Sequence, residues 1–156
     1  MNLKQGTILQ GGKYRIEREL GHGGFGVTYL ATQVGLNRKV AIKEFFMRDL
    51  NGREKTSVTC SNQRGLYSHY REKFSREAEN LSKLHHPHIV KVLESFECNN
   101  TCYYSMEYIQ GVSMDNLIDV RGRLTEEESL HYFYQLSGAL QFMHSHKMLH
   151  LDMKPF

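Results

Sequence analysis

Tryptophan is absent from this 156-residue chain, proline occurs twice and cysteine three times. With so little proline, no repeat and no biased tract, low-complexity architectures are excluded. Three thiols (Cys60, Cys98, Cys102) are too few and odd in number for a disulfide-stapled scaffold, and they point to a reducing, cytoplasmic setting. No apolar run approaches the roughly 18 residues of a membrane span. The opening Met1-Asn2-Leu3-Lys4-Gln5-Gly6 lacks the apolar core of a secretion signal. Charge of one sign is not concentrated either. Twenty basic residues stand against 17 acidic ones, net +3, and they are scattered, so no nucleic-acid partner is expected. What is present is ordinary: 40% hydrophobic and 24% charged residues, enough for one domain with a real core.

The first half reads as strands. Tyr14, Ile16 and Leu20 fall on alternate positions, Val27 to Ala31 is β-branched and aromatic, and Arg38 to Phe46 holds a third strand. Residues 50–66, with Asn51-Gly52 and no periodicity, read as a long exposed loop. A helix is expected over Tyr70 to Leu84, with Phe74, Ala78, Leu81 and Leu84 on one face, ending before Pro87. Two more strands, Ile89 to Phe96 and Cys102 to Ile109, are joined by a turn at Asn99-Asn100. Ser113 caps a short helix to Val120. Thr125 and Glu128 form a capping box for a helix to His146, with Phe133, Leu136, Leu140 and Met143 along one stripe.

Three segments carry chemistry. Gly21-His22-Gly23-Gly24-Phe25-Gly26 has the spacing G-x-G-x-x-G, followed by Val27. The continuation is strand-like, so the glycines sit in a hairpin that can lay backbone N–H groups over phosphates. A dinucleotide fold, where the third glycine opens a helix, is disfavoured. Val40-Ala41-Ile42-Lys43 puts a lysine in mid-strand, and Glu77 lies on the apolar face of the next helix. Each is costly alone and each satisfies the other. The segment His150-Leu151-Asp152-Met153-Lys154-Pro155 follows the capped helix.

In this order and spacing the chain resembles the protein kinases, most closely the bacterial kinases of the eukaryotic Ser/Thr type. The resemblance implies an α+β fold: a small lobe of five antiparallel strands with one C-helix over residues 1–109 including the hinge, and the first helices of the large lobe over 110–156. It implies that Gly21, His22, Gly23, Gly24, Phe25 and Gly26 cover the phosphates of ATP. Lys43 contacts the α- and β-phosphates, Glu77 anchors it, and Val27 and Ala41 press on adenine. Met106 is the gatekeeper, and Glu107, Tyr108 and Ile109 form the hinge. Leu81, Val92 and His150 match a hydrophobic spine. Asp152 accepts the proton of the substrate hydroxyl and Lys154 steadies the transferring phosphate.

Two departures stand out. Leu151 replaces the usual arginine before the catalytic aspartate, and the stretch between Lys43 and Glu77 is long for the family. The 156 residues contain no Asp-Phe-Gly and no catalytic-loop asparagine, the residues that hold Mg2+ in an intact kinase. The expectation is therefore a kinase domain truncated in its catalytic loop and inactive alone, with helix 125–146 driving self-association or a domain swap. The alternative is a non-catalytic nucleotide-binding or protein-interaction module completed by a partner. Cys98-x-x-x-Cys102 with His85, His86 and His88 fits no standard zinc spacing, and no metal ligands are assigned.

Overall fold

The computed structural model describes residues 2–60, 64–150 and 153. Chain order gives strands β1 (Ile8–Leu9), β2 (Tyr14–Gly23), β3 (Gly26–Gln33), β4 (Arg38–Phe45), β5 (Asn51–Glu54) and β6 (Ser57–Cys60), then helix α1 (Arg64–Ser82). After α1 come β7 (Val92–Cys98), β8 (Thr101–Glu107), α2 (Met114–Arg121) and α3 (Glu126–Ser145). Two compact units result, Met1–Lys83 with Lys91–Tyr108, and Leu84–Val90 with Ile109–Phe156.

The first unit is an antiparallel sheet in the order β1-β2-β3-β4-β8-β7, with β5 and β6 as a separate hairpin. All five expected strands are there, and the two-residue β1 extends one edge through Leu9, which pairs with Tyr14. Alternation along β4 splits the apolar residues between two cores. Val40 and Ile42 join Tyr14, Ile16, Val27 and Tyr29 on one face. Phe45, with Tyr104 of β8, meets Phe74 and Ala78 of α1 on the other. Along β2 the expected alternation breaks after Ile16, because register shifts fall between Ile16 and Arg18 and between Glu19 and Gly21. Bulges of that kind re-aim the strand, and Leu20 ends up exposed.

The long-loop reading of residues 50–66 is corrected. Asn51–Glu54 and Ser57–Cys60 pair as a hairpin whose Val58 is buried in the first core, and α1 starts at Arg64 rather than Tyr70. Four-residue strands carrying one core residue are too short to produce a readable period. The Asn99-Asn100 turn is as expected. Both residues have positive φ, 51° and 60°, the conformation a tight hairpin needs and asparagine tolerates.

In the second unit Ser113 Oγ accepts from the Asn116 N–H at 3.2 Å and starts α2. The capping box that starts α3 is complete: Glu128 N–H donates to Thr125 Oγ1 at 3.2 Å, and Thr125 N–H donates to Glu128 Oε2 at 2.9 Å. Arg121 beside Glu128, with the Thr125 N–H, holds that carboxyl down to about 2. Ala139 is the buried residue of α3, and the Phe142 ring meets that of His86 at a tilt of 35°, centroids 5.2 Å apart. Of the anticipated stripe, Leu140 and Met143 are partly covered while Phe133 and Leu136 are exposed.

Candidate functional site

The glycines close the β2–β3 hairpin. Gly23 pairs with Gly26, leaving Gly24 and Phe25 as the two-residue turn. Space is open around Gly21, Gly23 and Gly24, but a Cβ on Gly26 would lie 2.3 Å from the Glu44 carbonyl oxygen. The backbone of β4 passes directly beneath that point, so only glycine fits. His22 Nδ1 lies 3.1 Å from Glu19 Oε1. At the tip, Phe25 accepts from the Phe46 N–H at 3.4 Å, and its ring lies 5.2 Å from that of Tyr70 on α1. A cavity of about 230 Å³ opens there, lined by Phe25, Tyr70, Lys73, Phe74 and Glu77.

Lys43 and Glu77 are brought together as anticipated. Lys43 Nζ donates to Glu77 Oε1 at 2.9 Å. Their side chains are 27% and 46% exposed, so the pair is partly solvated rather than sealed in the core. A pair this wet contributes roughly 0–1 kcal/mol. More of the geometry comes from aromatic neighbours. Lys43 Nζ sits 5.5 Å from the Tyr104 ring and 5.7 Å from the Phe74 ring, a cation–π arrangement. Tyr104 Oη also donates to Glu77 Oε1, at 2.9 Å.

The sealed acid is the next residue. Glu44 is 0% exposed and its partner Arg53 4%. Arg53 NH2 donates to Glu44 Oε2 at 2.7 Å, Tyr29 Oη to the same oxygen at 3.0 Å, and Tyr103 Oη to Oε1 at 2.6 Å. Burial first, then the Glu44 charge, pushes the Tyr29 and Tyr103 phenols above their ordinary range. Both therefore remain donors. Tyr29 Oη further accepts from the Leu3 N–H at 3.1 Å, and the Arg53 guanidinium stacks 4.7 Å from the Phe46 ring. One carboxylate thus ties the N-terminal segment, β3, β8 and the β5–β6 hairpin to β4.

One expected contact is corrected. Val27 pairs in register with Glu44, is buried in the core on the Glu44 face, and so points away from Ala41 and Lys43. The residue opposite Lys43 is Thr28. Met106 pairs with Ala41 and packs against the second core. Glu107 is clamped at both ends: its N–H donates to the Lys91 carbonyl at 3.0 Å, and its Oε1 accepts from the Lys91 N–H at 2.8 Å. Tyr108 closes the first unit and Ile109 opens the second, exposed. Leu81 and Val92 pack in the second core, whereas His150 is exposed. Asp152 and Lys154 lie outside the described residues.

Sequence reasoning passed over Glu44, Arg53 and Tyr104. A signal existed for Glu44, which shares the period-2 face of Val40 and Ile42. None existed for Arg53, whose hairpin was illegible. Tyr103 and Tyr104, adjacent on β8, each deliver a hydroxyl to a carboxylate.

A glycine-rich hairpin beside a lysine–glutamate pair points to a class, and comparison with known proteins agrees. The family profile described as Protein kinase domain matches residues 14–156. CBL-interacting serine/threonine-protein kinase 19 of Arabidopsis thaliana is 36% identical over 151 residues, covering 97% of this chain and 28% of that protein. Serine/threonine-protein kinase PrkC of Bacillus subtilis (strain 168) is 32% identical over 144 residues, covering 92% of this chain and 20% of that one. Among solved structures, the PpkA-294 apo form superposes with a TM-score of 0.82 at 26% identity, over 98% of this chain and 55% of that one. The M. tuberculosis PknI kinase domain gives 0.72 at 26%, over 99% and 55%.

The chain belongs to the protein kinase family. It spans 20–28% of the length of these two curated relatives. No described helix is long and apolar enough to cross a membrane.

Proposed function

We propose that the protein carrying this chain transfers the γ-phosphoryl group of ATP to serine or threonine hydroxyls of protein substrates. The observation that carries the reading is the Lys43–Glu77 contact at 2.9 Å, formed beside a glycine hairpin. Kinase catalysis is chiefly positioning and charge stabilisation, and that contact is what aims the lysine. Gly21, His22, Gly23, Gly24, Phe25 and Gly26 cover the phosphates, and Lys43 binds the α- and β-phosphate oxygens. Ala41, Met106 and the backbone of Glu107, Tyr108 and Ile109 receive adenine. In the transfer, the substrate hydroxyl oxygen forms a bond to the γ-phosphorus as the bond to the β-bridging oxygen breaks. ADP leaves, and the hydroxyl proton passes to Asp152 while Lys154 steadies the moving phosphoryl group.

Mg2+, which the family uses with ATP, neutralises phosphate charge when bound. Among the described residues no three His, Cys, Asp or Glu side chains converge to hold an ion. A cytoplasmic location is part of the same reading, resting on the small and odd number of cysteines, three in 156 residues.

The test is radiolabel transfer from ATP to a mixed Ser/Thr protein substrate by the intact protein, with Asp152→Asn as control. Transfer that the substitution removes supports the proposal. ATP binding without transfer favours the non-catalytic module instead.

The proposal extends to self-association by this 156-residue segment. On α3, Leu130, Phe133, Tyr134 and Leu136 are exposed, and a contiguous apolar face in water recruits a partner. Sedimentation velocity on the isolated segment is expected to show dimers or larger species at high micromolar concentration. A monomer there contradicts the extension.

A further inference from the structure

We infer that Tyr104 is a positioning residue, whose hydroxyl holds the Glu77 carboxylate beside Lys43 so that α1 is docked before any nucleotide arrives. Its functional consequence rests on the phosphoryl-transfer reading above.

The Lys43–Glu77 pair is too solvated to fix a 19-residue helix. The Tyr104 contact is made from a different environment. Its ring is buried in the second core, and a hydrogen bond formed there competes with little water. Register adds direction: on the β4–β8 ladder Tyr104 is the direct partner of Lys43, so ring and lysine stem stand side by side on one face. Phe74, one turn before Glu77 on α1, packs on the Tyr104 ring with centroids 5.1 Å apart. The same aromatic side chain therefore touches the lysine, the helix and the carboxylate.

Sharing one acceptor oxygen matters. Lys43 Nζ and Tyr104 Oη both donate to Glu77 Oε1. When Lys43 turns toward phosphate oxygens, Glu77 keeps its phenolic donor and α1 keeps its place. Burial, and then the charge of Glu77, push the Tyr104 phenol above its ordinary range, so it stays protonated and able to donate. Phenylalanine would fill the same space without this bond.

The experiment compares Tyr104→Phe, Lys43→Met and the wild type, as the intact protein, by backbone hydrogen exchange of α1 without nucleotide and by steady-state transfer. In Tyr104→Phe, exchange around Phe74–Ala78 is expected to quicken about 10-fold or more, the loss of a hydrogen bond to a charged acceptor. The KM for ATP rises and kcat falls, while the KM for the protein substrate holds. In Lys43→Met, α1 exchange stays near the wild-type rate. Unchanged exchange in Tyr104→Phe, or equal quickening in Lys43→Met, overturns the inference.

Quickened exchange in a protein that neither binds nor uses ATP leaves the Tyr104 assignment standing and sinks only the phosphoryl-transfer reading. A second pair covers a folding failure of Tyr104→Phe. Glu77→Gln retains an acceptor for Tyr104 and is expected to keep α1 protected, and Glu77→Ala is not. Equal exchange in those two also overturns it.

Discussion

Replacing Arg53 by alanine is expected to lower the unfolding free energy by about 3–5 kcal/mol, the range for removing one partner of a buried ion pair. The mechanism is specific. Glu44 would remain sealed on β4 with two phenolic hydroxyls and no cation, and the β5–β6 hairpin would lose its one buried charged anchor. Urea unfolding monitored by circular dichroism measures the change. The double substitution Glu44→Met with Arg53→Met removes both charges and retains volume, so it is expected to recover most of the loss. A single Arg53→Ala variant as stable as the wild type would falsify the view that this pair secures the hairpin.

The second large effect is on chemistry. Lys43→Met is expected to reduce kcat/KM for phosphoryl transfer by the intact protein about 10²–10³-fold, the usual loss when one preorganised electrostatic donor is removed. Its unfolding free energy should move by no more than about 1 kcal/mol, since the pair it belongs to is partly solvated. Steady-state kinetics and urea titration on one preparation separate the two. Transfer that survives the substitution would mean that Lys43 does not grip the nucleotide. The contrast with Arg53 is informative because both positions are cations paired to neighbouring acids. Burial decides which acts on stability and which on rate.

How much of this was legible follows from how local each signal is. The glycine spacing, the mid-strand Lys43, the in-phase Glu77 and the Thr125–Glu128 box are short-range patterns tied to backbone geometry, and all of them hold in space. Val27 failed for a small reason. It stands one residue after Gly26, and on a strand one residue is the whole difference between faces. The β5–β6 hairpin failed for want of length, with Val58 its one deeply buried apolar residue. Arg53 depends on that hairpin folding back onto β4, nine residues away, and the hairpin itself has no readable period. Glu77 was anticipated as a buried acid on energetic grounds, and those grounds apply to Glu44 instead. The rule about unpaired buried charge was sound, but it was attached to the neighbouring strand face.

Lys43 and Glu44, like Tyr104 and Tyr103 across from them, are separated by a single peptide bond and look in opposite directions. Inserting or deleting one residue in β4 upstream of this pair would swap their destinations, sending an ammonium into the sealed network and a carboxylate to the face where Glu77 stands. Such a chain would lose the sealed Glu44–Arg53 pair and the Lys43–Glu77 contact in one step. Variation among descendants of this sequence should therefore run through substitution along β4 and through length changes in the β5–β6 tip at Lys55-Thr56, where the backbone is exposed. The strand itself is expected to keep its length, and sequencing close relatives for indels between Arg38 and Phe45 tests that constraint.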